Sequence, residues 1–125
     1  MKINFAQVFV NWDGAPVNNV DKNNNETNDP LTLGDLAVGA LAYQKLDPMT
    51  RQPEKPIDAK EMMRRYILAA QIKDALKAGG ELDLPAKDVV LIQDQIYAAH
   101  ISNAFIVAQA YQMIEPEEKA DAGKD

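Results

Sequence analysis

The feature that most constrains the fold is a run of four segments, between residues 31 and 115, whose apolar residues recur at helical spacing. Short polar breaks separate these segments, so each predicted helix leads directly to the next. The predicted helices lie at about residues 33–45, 58–78, 85–99 and 102–116. The spacing therefore predicts a mainly α protein, a compact four-helix domain in which the second and third helices form an antiparallel pair.

Local signals mark the ends of these helices. Thr32, Asp58 and Ser102 are suitable N-cap residues, and Pro85 is suited to the first position of the third helix. The pair Gly79-Gly80 predicts the end of the second helix.

The apolar stripes predict which side chains form the core. We expect Leu41, Tyr66, Ile92 and Ile96 to be largely buried. The second helix has an apolar arc that is wider than one packing partner requires. This wide arc predicts contact on two sides, and so favours a homo-oligomer, with a dimer as the expected state.

The N-terminal segment, residues 1–17, reads as a β-hairpin packed on the helices. A run rich in strand-forming residues, with Ile3, Phe5, Val8 and Val10, leads to Asp13-Gly14, a favoured two-residue turn, and Ala15 to Val17 would begin the return strand. An isolated hairpin is marginal in water, so it needs a packing surface or another chain at its open edge. Trp12, beside the turn, is either a lid over the small core or an exposed anchor for a partner.

Two segments have little to bury. Residues 18–30 are rich in Asn and predict a loop, either a connector or a contact loop. Residues 116–125 predict a mobile acidic tail. The resulting division is a hairpin at 1–17, an Asn-rich loop at 18–30, a helical domain at 31–115 and the tail.

Composition excludes several classes of protein. The 125 residues include no Cys, so disulfides and thiolate metal sites are impossible, and 46% of the residues are apolar, as in globular proteins. No apolar run approaches the length of a membrane span, and no apolar N-terminal stretch suggests a signal peptide. The net charge of −6 disfavours binding to nucleic acid or to anionic membranes. We therefore expect a cytoplasmic protein.

No arrangement of residues predicts catalysis, cofactor binding or metal binding. His100 is the only histidine and Ser102 the only serine, and on a helix boundary their side chains would diverge. The acidic and Asn-rich stretch at 21–29 lacks the glycine and the closing glutamate of a calcium loop. The sequence thus predicts a protein that is not an enzyme, with no catalytic, cofactor or metal residues to name.

The second helix carries the one basic cluster of the chain. Arg64 and Arg65 lie among seven basic and four acidic residues between positions 51 and 77. Without interleaved aromatic residues, this cluster predicts pairing with the acidic segments 81–94 or 115–121, within the chain or between chains. Trp12, Arg64 and Arg65 are the candidate interaction residues.

Four strings of the helical domain, LTLGDLAVGALA, RRYILAAQI, GGELDLPAKDVVLIQDQI and IVAQAYQMIE, carry a family resemblance in their order and spacing. Over about residues 31–115 the chain resembles small uncharacterised helical proteins encoded by tailed bacteriophages and prophages. The resemblance implies a phage-related protein that acts in the host cytoplasm and offers no catalytic residues to transfer. The function we expect is protein–protein interaction, as in a tail assembly factor. The alternatives are a host-directed inhibitor with an acidic surface and, third, a small enzyme without a recognisable site.

Overall fold

Four helices and two small antiparallel sheets make up residues 1–115, the part of the chain that the computed structural model describes. In chain order the elements are β1 (Lys2–Asn4), β2 (Asn18–Val20), β3 (Glu26–Pro30), α1 (Leu33–Leu41), α2 (Ala59–Lys77), β4 (Glu81–Asp83), α3 (Ala86–Ala99) and α4 (Ala104–Ile114). The mainly helical class is confirmed. The predicted acidic tail, residues 116–125, lies outside the described residues.

Helix α1 is the centre of the helical packing. It contacts both α2 and α3, and α3 in turn contacts α4. The main packing therefore differs from the predicted pairing of the second and third helices. The reason is the composition of α1, which is short and buries six of its nine residues: Leu33, Gly34, Leu36, Ala37, Ala40 and Leu41.

The predicted helix starts are confirmed for α1 and α2. Thr32 and Asp35 form a reciprocal capping box at α1. The Asp58 side chain accepts a hydrogen bond from the Glu61 N–H at α2. At α4 the N-cap is Asn103 and not Ser102, because the Asn103 side chain accepts from the N–H of Ile106 at 3.3 Å.

The N-terminal segment forms only part of the predicted hairpin. A turn does lie at Asp13 and Gly14, and the Val17 N–H donates to the Phe9 carbonyl at 2.9 Å across it. However, β1 pairs antiparallel with β4, with Ile3 opposite Leu82. The hairpin is therefore limited to residues 9–17, because the short return segment reaches only as far as Phe9, and the pairing of β1 with β4 accompanies the burial of Ile3 and Phe5 in the core.

The Asn-rich segment 18–30, predicted as a loop, holds the strands β2 and β3, which pair antiparallel. Polar contacts build this hairpin. The Asp21 carboxylate accepts from the N–H groups of Asn23 and Asn25, at 2.9 and 3.0 Å. Asn24 adopts a left-handed φ of 66°, which asparagine tolerates better than most residues. The segment has almost no apolar residues, so the alternation of apolar and polar residues that predicts strands is missing from this hairpin.

Three of the four predicted core residues are confirmed. Leu41, Ile92 and Ile96 are buried. Tyr66 is 76% exposed, so its predicted burial is wrong. Helix α2 buries its opposite side, with Leu68, Ile72 and Ala75. The largest side chains of the core are Ile3, Phe5, Phe9, Leu33, Ile72, Ile92 and Ile96.

Within residues 1–115, no helix has the combination of length and apolar character that crossing a membrane requires.

Candidate functional site

Trp12 lies at the tip of a tight turn that its neighbours hold closed. The Asn11 N–H donates to the Ala15 carbonyl at 2.8 Å, and the Gly14 N–H donates to the Asn11 carbonyl at 3.0 Å. The Asp13 carboxylate accepts from the Ala15 N–H at 3.0 Å. Gly14 has a φ of 85°, a conformation that glycine adopts without strain. The main chain that carries Trp12 is therefore well defined.

The Trp12 side chain leaves this turn toward solvent and meets Phe105 of α4. The two ring centroids are 4.5 Å apart, with an angle of 70° between the ring planes, which is an edge-to-face contact. Such a contact stabilises an aromatic pair by about 0.5–1.5 kcal/mol beyond the effect of burial. Trp12 nevertheless remains 85% exposed and Phe105 57% exposed. Of the two interpretations of Trp12, the exposed position is therefore the one found.

Gln109, one helical turn after Phe105, holds the extended segment that leads to Trp12. Its side-chain oxygen accepts from the Val10 N–H at 3.1 Å, and its side-chain nitrogen donates to the Val10 carbonyl at 2.9 Å. The amide of Gln109 thus satisfies both main-chain groups of Val10, as a neighbouring strand would. These two bonds fix the distance between the Trp12 turn and α4.

An open cleft of about 500 Å³ lies between the Trp12 turn and α4. Its apolar walls come from Val10, Trp12, Val17, Phe105 and Ile106, and its polar groups are mainly the side chains Asn11, Asn103, Gln109 and Gln112. Apolar walls with a few amide groups are typical of binding sites for protein side chains and small ligands. We call this region the Trp12 cleft.

Arg64 forms ion pairs within the chain. Its guanidinium donates to the Asp88 carboxylate at 2.9 Å and lies 3.3 Å from the Glu61 carboxylate. The hydrogen bond to Asp88 raises the pKa of Arg64 above its ordinary value. The predicted pairing with segment 81–94 is thus confirmed for Arg64.

Arg65 points into the protein. Its side chain is 14% exposed, and its Nε lies 3.7 Å from the Glu61 carboxylate. Among residues 1–115 that Nε has no hydrogen-bond partner. The structure brings two of the three candidate residues together, because Arg64 and Arg65 both approach the Glu61 carboxylate. Trp12 lines a different cleft, which neither arginine lines.

The groups capable of acid–base or metal chemistry are scattered. In the described range 1–115, no three His, Asp or Glu side chains come together as metal ligands would. His100 forms the C-cap of α3, and partial burial lowers the pKa of its imidazole. A second cleft, of about 440 Å³, has the acids Asp74, Glu81, Asp83 and Asp88 in its lining. Asp88 is already paired with Arg64.

Phe105 and Gln109 were not among the predicted site residues. They and Gln112 recur at spacings of four and three, which places them on one face of α4. The buried face carries Ala110 and Ile114. An aromatic residue on the face opposite the buried one is the signal that sequence reasoning could have used.

Comparisons of the chain with protein-family models, with curated proteins and with solved structures find no match.

Proposed function

We propose that this protein is a non-enzymatic interaction protein and that the Trp12 cleft binds its protein partner. The observation that carries the proposal is the exposure of Trp12, 85%, on a turn that Phe105 and Gln109 hold in place. A tryptophan side chain in water forgoes a favourable burial of about 1.5–3 kcal/mol or more. A partner that covers the indole recovers this free energy.

The rigidity of the site strengthens the proposal. Binding hot spots are enriched in Trp, and an anchor that is already ordered loses little conformational entropy when a partner binds. The edge-to-face contact with Phe105 and the two bonds between Gln109 and Val10 provide that order. The remaining amide groups at the rim, such as that of Gln112, suit the main chain of a peptide whose apolar side chain fills the cleft.

An assembly factor of phage or prophage origin is the specific role that we propose. Its support is the resemblance of four strings in residues 31–115 to small helical proteins of tailed bacteriophages. Assembly factors act by binding other proteins, which agrees with an exposed anchor outside any catalytic arrangement. The proposal includes self-association as a dimer, since α2 also leaves apolar side chains exposed.

A host-directed inhibitor with an acidic surface is the second candidate. The observation in its favour is the cleft with Asp74, Glu81, Asp83 and Asp88 in its lining. Internal pairing weakens this candidate, because Arg64 neutralises Asp88 and the Lys2 ammonium lies 4.0 Å from Glu81. The Trp12 cleft therefore carries the primary proposal.

Intrinsic fluorescence tests the proposal directly, because Trp12 is the only tryptophan in the chain. The wild-type protein would capture partners from a lysate of phage-infected bacteria, and each captured protein would then be purified and titrated. We expect a shift of the Trp12 emission to shorter wavelength as the partner covers the indole. Trp12→Ala should abolish capture, whereas Val20→Ala, at an exposed apolar residue of β2, should not. Equal capture by Trp12→Ala would contradict the proposal.

A further inference from the structure

A cleft with two positive charges in its lining lies between α1 and α2. Its volume is about 370 Å³, and its polar lining consists of Arg65, Tyr66 and Lys73, all from α2. The apolar part of the lining is Val38, Leu41 and Ala42 of α1 with Ala69 and Ala70 of α2. No acidic residue is among the described residues that line it. We call this region the Arg65 cleft.

Arg65 is a cation that its own chain leaves incompletely paired. Its side chain is only 14% exposed, and its Nε has no hydrogen-bond partner among residues 1–115. The Glu61 carboxylate lies 3.7 Å from this Nε, which is longer than a hydrogen bond, and it also lies 3.3 Å from the Arg64 guanidinium. A buried charge is costly unless it is both paired and hydrogen-bonded. A carboxylate from outside, placed where the guanidinium lines the cleft, therefore improves the pairing of Arg65.

Lys73 supplies a second cation on the same side of α2. It follows Arg65 by eight residues, so the two residues are about 12 Å apart along the helix axis. Ala69, midway between them, has only a small side chain. Lys73 is exposed, and it forms no ion pair within the described residues 1–115. The cleft thus presents two cations about two turns apart with an apolar surface between them.

We propose that the Arg65 cleft binds an acidic amphipathic helix of a protein partner. Two carboxylates of that helix, about two turns apart, pair with Arg65 and Lys73, and an apolar side chain between them lies on Ala69. Charge complementarity identifies this occupant. Residues 51–77 include seven basic and four acidic residues, so this segment is positively charged in a chain whose net charge is −6.

The exposed apolar side chains beside the cleft favour a protein over a small anion. Tyr66 lines the cleft and is 76% exposed, and Met62, one turn earlier, is 48% exposed. A small anion inside the cleft leaves both in water, whereas a helix laid along α2 covers them. The small side chains of Ala69 and Ala70 allow such a helix to approach closely. The Arg65 cleft shares no described lining residue with the Trp12 cleft, so the two proposals are independent.

Fluorescence anisotropy of labelled synthetic peptides tests the proposal. The probe is an alanine-rich helical peptide of about 20 residues, with two glutamates about seven residues apart and a leucine between them. The control peptide has glutamine in place of both glutamates. We expect the full chain at low salt to bind the acidic probe about tenfold more tightly than the control peptide. Equal binding of the two peptides, or no binding of the acidic probe at about 1 mM protein, would overturn the proposal.

Substitutions at Lys73 locate the peptide, because this side chain is exposed and lies outside the core. Lys73→Gln should weaken binding of the acidic probe about two- to fivefold, whereas Lys22→Gln, the same change at an exposed residue outside α2, should have no effect. Lys73→Glu should weaken it about tenfold, and a probe with lysine in place of one of its two glutamates should restore binding. The lysine probe that restores binding gives the direction of the bound helix. Failure of both lysine probes would overturn the proposed pairing.

Three further measurements concern the second cation and the other possible occupants. Arg65→Met, with an unchanged circular dichroism spectrum, should weaken binding of the acidic probe about tenfold, and unchanged binding would overturn the proposal. Self-association of the wild type that Lys73→Glu abolishes would assign the cleft to a second copy, and would overturn the proposal as well. Trp12→Ala should bind the acidic probe as the wild type does, so failure of the Trp12 cleft as a binding site would remain distinguishable.

Discussion

The side-chain amide of Gln95, on α3, donates a hydrogen bond of 2.9 Å to the main-chain oxygen of Ala40, in the last turn of α1. The same nitrogen donates to the Tyr43 carbonyl at 3.0 Å. The last carbonyls of a helix have no partner within the helix, and the C-cap of α1 is Ala42, which is not a glycine. A contact from another helix therefore stabilises the end of α1. The helix ends at Leu41, before the predicted residue 45.

Replacing Gln95 with alanine should destabilise the protein by about 1–3 kcal/mol, because the partly buried Tyr43 carbonyl would lose this donor and the Ala40 carbonyl would keep the Tyr43 N–H, at 3.0 Å. Denaturant unfolding of the Gln95→Ala variant measures this change. Gln112→Ala, at an exposed position of α4, is the matched control and should change stability by less than about 0.5 kcal/mol. Equal effects of the two substitutions would show that the bonds to α1 contribute nothing.

Ile96 should be among the most important residues of the core. Its side chain is fully buried, so Ile96→Ala should cost about 2–5 kcal/mol through lost burial and the cavity that remains. Ile101→Ala removes the same atoms from a side chain that is 65% exposed, and it should cost much less. Chemical denaturation of both variants gives the comparison. A cost under about 0.5 kcal/mol for Ile96→Ala would mean that the core is misplaced.

Two glycine-to-alanine substitutions should have opposite effects. Gly80 has a φ of 99°, and a Cβ there would lie 2.5 Å from the Cβ of Ala6 and 2.7 Å from its main-chain nitrogen. Gly80→Ala should therefore cost at least about 2 kcal/mol, from backbone strain and steric overlap. Gly39 lies exposed in α1 with nothing within 4 Å of the added Cβ. Gly39→Ala should stabilise by about 0.5–1 kcal/mol, and thermal melts would show both signs.

The stability should depend on the protonation of His100. Burial lowers the pKa of His100 in the folded protein below the ordinary value of 6.5. The unfolded chain therefore takes up this proton first, so stability is lost as the pH falls below 6.5 toward the folded-state pKa. We expect the free energy of unfolding to fall more between neutral and mildly acidic pH in the wild type than in His100→Gln. The carboxylates contribute equally to both proteins, so parallel pH profiles would contradict this prediction.

The helix ends could be predicted from the sequence because interactions between residues close in the chain determine them. The capping box of Thr32 and Asp35, the cap at Asp58 and the glycine stop at residues 79–80 each depend on residues within one or two turns. Such signals are readable without knowing the tertiary contacts. The resulting helix positions were therefore close to those observed.

The buried face of α2 and the surroundings of Trp12 could not be predicted, because contacts between residues far apart in the sequence determine them. Helix α2 has apolar residues on two sides, and its tertiary contacts, which include α1 and β4, determine that Leu68 is buried and Tyr66 exposed. The contact of Trp12 with Phe105 joins a turn to a helix far along the chain. Composition identified Trp12 as a candidate, but its local environment could not be predicted from neighbouring residues.

The pairing of β1 with β4 has a consequence for synthesis on the ribosome. Ile3 and Leu82 are about 80 residues apart, and a chain grows at about 5–20 residues per second. Once β1 has been made, its partner strand is therefore missing for about 4–16 s. During that interval Ile3 and Phe5, which end in the core, cannot yet pack under the completed sheet. The first strand of this protein can therefore join its sheet only after both α1 and α2 have been synthesised.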